Sequence, residues 1–167
     1  MAETHVTLAT FYEGWGAYQK HLVTAVAPLS PEQLALRVAP HLWPAGMIAA
    51  HIVATRVGWF HHWMGEGSSD LDPLGSWDED GQPSRSAAEL VAGLEATWDM
   101  VRGALARWSA ADLGQVFEDP YPAAGEEEER RRRSRQWIVW HLLEHDLHHG
   151  GELSLTLGAH ELAGLGL

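Results

Sequence analysis

Residues 137–157 read WIVWHLLEHDLHHGGELSLTL, which sets His141, His145 and His149 at intervals of four, with His148 beside the last. On an α-helix, residues i and i+4 lie one above the other on a single face, each step rising about 6 Å. Two imidazoles so placed can converge on one metal ion, the logic of the His pair in other helical zinc sites. The same arithmetic sets a limit, because His141 and His149 are then roughly 12 Å apart along the axis. A single ion therefore takes either the 141/145 pair or the 145/149 pair, and His145 belongs to both.

Working outward, the 167 residues are most simply one domain, long enough to bury a substantial core. No apolar run approaches the length of a membrane span, and the N-terminal MAETHVTLATFYEGW lacks the layout of a secretory signal. A cytoplasmic protein is expected. The chain has no cysteine, which removes disulfides, thiolate ligands and a thiolate nucleophile. A formal net charge of −12 argues against nucleic-acid binding, which needs clustered Lys and Arg. The one basic cluster, Arg130–Arg133, directly follows Glu126–Glu129 and is locally neutralised. Each of those Glu stands four residues before an Arg, so the block reads as a solvated helical extension or ordered surface turn without chemistry.

Apolar periodicity predicts four helical segments. The first runs from about Val6 to Ala27 and stops at Pro28; Ser30-Pro31-Glu32-Gln33 then reads as a capped helical turn. The second spans about Pro44 to Met64. Gly65–Pro83, rich in Gly, Ser, Asp and Pro, reads as a loop. Ser84 or Ser86 caps a third helix to about Trp108, and an irregular piece covers Asp112–Gly125. The fourth helix carries the His row and ends near Gly158. No strand-like alternation is sustained. The expected class is an all-α four-helix bundle.

The eleven histidines do not weigh equally. His5, His21, His41 and His160 read as surface or satisfied core residues. His61 and His62 are neighbours, which on an α-helix point roughly 100° apart and do not easily chelate together. His51 sits mid-helix among Ile48, Ala49, Ala50, Ile52 and Val53. Alone, such a residue more often has a structural partner. Combined with an i,i+4 pair on another inward-facing helix, it completes a facial set of three imidazoles with open positions, suited to a divalent transition metal. Burying three imidazoles without partners costs roughly 1–3 kcal/mol per unsatisfied group, which weighs against a purely structural cluster. Glu144 and Asp146 are candidates to hold the ring nitrogens from behind.

With AAHIVATRVGWFHHWMGEG in the second helix and WIVWHLLEHDLHHGGELSLTLGAHEL in the fourth, the chain resembles the DinB-like (damage-inducible) superfamily, which includes bacillithiol- and mycothiol-dependent relatives. The resemblance covers nearly the whole chain in layout. It implies an up-down-down-up four-helix bundle, frequent homodimers, and a metal held by one His of helix two and an H-x-x-x-H pair of helix four. Carried over, the ligands are His51, His145 and His149, with His141 next in line. Zinc or nickel suits three imidazoles best. The resemblance further implies a metal-dependent thiol S-transferase or isomerase, in which a low-molecular-weight thiol supplies the sulfur that the chain lacks. The alternatives are a metal-dependent hydrolase of a small substrate and a non-enzymatic metal-binding or stress-response protein. Trp59, Trp63, Trp137 or Trp140 are candidates to line a cleft rimmed by the two irregular segments.

Overall fold

The structure is a computed structural model that describes residues 6–122 and 130–166. Its helices are α1 (Leu8–Phe11), α2 (Glu13–Val26), α3 (Pro31–Leu34), α4 (Ala45–Arg56), α5 (Ala87–Arg107) and α6 (Arg135–Gly158). Four of them, α2, α4, α5 and α6, form the bundle. α4 packs most extensively on α6 and α5, and α2 lies mainly against α5. No helix among the described residues is long and apolar enough to cross a membrane.

Local chemistry accounts for most of the boundaries. Ser30 and Gln33 cap each other reciprocally at the start of α3, and Ser86 and Glu89 do the same for α5. The Ser134 hydroxyl accepts from the Trp137 amide at the start of α6. The first expected helix is broken at Tyr12, whose ψ of 23° leaves the helical range. The short α1 before it is anchored separately, through the Leu8 amide donating to the Trp108 carbonyl. The second expected helix is continuous in space but changes its winding: after Arg56 it widens into a π-helical stretch, Val57–Trp63. The expected loop 65–83 contains a 3-10 segment, Ser69–Ser76.

One expectation is corrected. Instead of extending α6, Arg132 and Arg133 lie in strand β2 (Arg132–Ser134), antiparallel to β1 (Val116–Glu118), with Phe117 opposite Arg133. Strands of three residues are too short to show alternation in a sequence. Glu126–Glu129, and with them the proposed Glu–Arg pairs, lie outside the described residues, as does His5.

Two apolar clusters make up the core. One gathers Leu22, Val26, Ile48, Ile52, Leu94 and Leu153; the other gathers Trp15, Phe60, Val101, Ile138 and Leu142. Each fully buried aliphatic or aromatic side chain stabilises the fold by about 1.5–3 kcal/mol. Between the clusters lies a polar layer. Arg56 and Asp146 are both fully buried and paired at 2.7 Å. The Arg56 guanidinium also donates to Gln19 Oε1 and to the Leu94 carbonyl, while Trp15 donates its indole N–H to Asp146 at 2.7 Å. Every one of the four bundle helices contributes a partner. A charge in this layer is tolerated because its hydrogen-bonding capacity is used.

Candidate metal centre

The polar layer fixes the rotation of α6. With Asp146 held inward by Arg56 and Trp15, the preceding residue, His145, is turned toward α4. His149 follows one turn later on the same face. Close approach to α2 is possible there because residue 150 is glycine: a methyl at that position would run into the Tyr18 hydroxyl.

The three expected ligands come together. His145 Nε2 lies 2.9 Å from His51 Nε2, and one ligand nitrogen from each of His51, His145 and His149 falls within 4.8 Å of the others. The His149 ring stands edge-on to the His51 ring, centroids 4.6 Å apart. Behind the trio, His51 Nδ1 is 2.6 Å from Asp78 Oδ2, and His149 Nδ1 is 2.7 Å from Glu152 Oε2. Each carboxylate accepts a hydrogen bond from Nδ1–H, which leaves the Nε2 lone pair of that ring for the trio. All three rings are partly buried.

Burial pushes the His145 imidazole down to about 3, reinforced by the neighbouring His149 and His51. Burial also lowers His149, opposed by its hydrogen bond to Glu152. His145 and His149 therefore resist protonation at neutral pH, and a neutral imidazole is the ligand form. His145 Nδ1 is buried without a hydrogen-bond partner among the described residues. Three imidazoles with converging ligand nitrogens fit a divalent transition ion.

His141 takes no part. Its ring stacks on Trp137 at 4.6 Å and meets Trp59 edge-on at 5.1 Å. Burial lowers its pKa, with Arg133 adding to the effect and Glu144 opposing it. Asp146 serves the polar layer rather than a ligand, so the carboxylates behind the trio are Asp78 and Glu152. Asp78 escaped the sequence reading because it lies in a segment without periodicity. Glu152 was legible in principle, three residues beyond His149 on the same helix.

The aromatic wall of the trio is Trp43, which stands 4.8 Å from His51 and 6.1 Å from His149 between ring centroids. Trp43 opens onto a cavity of about 390 Å³, lined by Val38, His41, Leu42, His149, Glu152 and Leu155 among others. His41, exposed as expected, borders this cavity. His160 donates to or accepts nothing at the trio; its Nε2 meets the Arg37 carbonyl at 2.9 Å.

The sequence model of the DinB superfamily matches residues 15–153. A DinB-like protein from Bacillus cereus ATCC 10987, of known crystal structure, superposes with a TM-score of 0.68 at 20% identity, covering 98% of this chain and 99% of that one. Comparison with functionally curated proteins returned no match. The fold is a helical bundle, and the chain belongs to the DinB superfamily.

Proposed function

We propose that the protein is a metal-dependent enzyme, a thiol S-transferase or isomerase of the bacillithiol or mycothiol type, with His51, His145 and His149 as ligands. The observation that carries this reading is the convergence of three imidazoles, two of them braced at Nδ1 by Asp78 and Glu152, beside a cavity. A zinc or nickel ion there would act as a Lewis acid, lowering the pKa of a thiol so that it meets an electrophile as thiolate.

The chain's own groups supply the rest. Asp78 and Glu152 fix the tautomers, so that the ligand lone pairs face inward. Trp43 shields one side of the trio from water. The cavity, with Val38, Leu42 and Leu155 against His41 and Glu152, has the apolar wall and few polar groups that a small substrate needs. The absence of cysteine fits a reaction whose sulfur arrives on the cosubstrate.

The test pairs elemental analysis of untagged protein with calorimetric titration of a low-molecular-weight thiol. Bound metal that His145→Ala removes from the trio, together with saturable thiol binding that needs the metal, is the expected result. His160→Ala should leave both unchanged. Metal without thiol affinity would overturn the transferase reading and favour hydrolysis of a small substrate. Full occupancy of the trio in His145→Ala would sink the ligand assignment.

A further inference from the structure

A second set of metal-ligating side chains lies outside the trio. His61 Nε2 is 3.0 Å from Asp72 Oδ1, and His62 Nε2 is 3.4 Å from the same oxygen. One ligand atom from each of the three falls within 4.8 Å of the others. On a regular α-helix the two neighbouring histidines would diverge by roughly 100°. The π-helical stretch changes this, because its wider i→i+5 winding re-aims side chains locally. The two rings end 5.4 Å apart with both Nε2 atoms on one carboxylate.

Hydrogen-bond chemistry makes this arrangement informative. His61 Nδ1 lies 2.6 Å from the Glu66 carbonyl oxygen, which can only accept. Nδ1 therefore carries the proton, and in the neutral ring Nε2 offers a lone pair. That lone pair faces a carboxylate oxygen, also an acceptor, at hydrogen-bond distance. Two acceptors hold this separation only with a proton or a metal cation between them. The second imidazole on the same oxygen completes a three-point donor set that a proton does not require. Close fitting of the loop supports a built site: a methyl at Gly75 would come within 3.0 Å of His62 Cε1 and 3.2 Å of Val57 Cγ1. Asp72 is half exposed, so water can reach the remaining coordination positions. The net charge of −12 favours a cation over an anion.

We propose that His61, His62 and Asp72 form a second divalent-cation site, distinct in its residues from the trio. Two imidazoles with one carboxylate select a borderline ion such as Zn²⁺ or Co²⁺ over Mg²⁺ or Ca²⁺, which prefer all-oxygen shells. The site clamps the 3-10 segment onto the end of the α4 extension. The same segment leads, six residues after Asp72, to Asp78, the carboxylate that braces His51. Filling the second site thereby steadies the loop that orients a ligand of the first.

Equilibrium dialysis of the metal-free protein against Co²⁺ at pH 7.5, where unperturbed imidazole is mostly neutral, tests this directly. Wild type should bind two equivalents per chain. His61→Ala and the near-isosteric Asp72→Asn should each lose one equivalent, and His145→Ala should lose the other. Unchanged helical circular dichroism in Asp72→Asn excludes misfolding as the cause. If His61→Ala and Asp72→Asn bind as many ions as wild type, the site is refuted and the pairs are His–Asp ion pairs only. If those two variants lose an equivalent while His145→Ala does not, the second site stands and the trio assignment fails.

Discussion

At the scale of single residues, the carboxylates behind the imidazoles matter as much as the imidazoles. Asp78 accepts from His51 Nδ1 at 2.6 Å, which fixes both tautomer and ring orientation. Loss of such a partner typically weakens metal binding 10–100-fold. Asp78→Ala should therefore raise the Kd for Zn²⁺ by about that factor without changing the stoichiometry at the trio, measured by competition with a chromophoric chelator. An unchanged Kd would show that His51 needs no brace. The i,i+4 repeat made His145 legible in one dimension but left 141/145 and 145/149 open; the choice of His149, and the assignment of His51 as the ligand from the second helix, came with the family resemblance. Asp78 was not legible, since it reaches His51 from 27 residues further along the chain, in a segment without periodicity. The pairing of His61 with His62 was hidden for a related reason: a π-helical winding leaves no periodic trace in a stretch of seven residues.

Among the elements, α6 has two tasks that sequence reading separates poorly. One set of its side chains fills the core, and another carries the site. Asp146 joins them, being next to His145 in the chain and paired to Arg56 across the bundle. Removing one partner of a buried ion pair leaves an uncompensated charge, which costs about 3–5 kcal/mol. Asp146→Asn should thus lower stability by roughly that amount in urea unfolding, since Trp15 and Arg56 are left to share one neutral amide oxygen in place of two carboxylate oxygens. It should also weaken metal binding at the trio, because α6 loses the contact that sets its rotation. A variant of wild-type stability would mean that apolar packing alone aligns the helix. The four long helices were readable from apolar spacing, and the caps of α3 and α5 from Ser30 and Ser86. The break at Tyr12 and the hairpin of β1 with β2 were not, because both are imposed by contacts distant in sequence, among them the Leu8 amide on the Trp108 carbonyl.

For the molecule as a whole, the trio links stability to pH. His145 titrates at about 3 in the folded protein against 6.5 when unperturbed, so between those values the unfolded chain binds more protons. Stability rises with pH wherever the unfolded state holds the extra protons. The metal-free protein should then be fully stable above pH 6.5, lose stability as pH falls below it, and level off for this group near pH 3. His149, lowered in the same direction, adds to the slope. Urea midpoints from pH 7.5 to 4 should show the decline, and His145→Gln should flatten it; an equal slope in both would remove the trio as its cause. The Arg56 layer has a further consequence at this scale. Since each of the four long helices gives a group to one shared cluster, none can detach without stranding a charge in the interior. Partial opening is thereby discouraged from the centre outward, and the slowest amide exchange in all four helices should report a single cooperative unit rather than four separate ones.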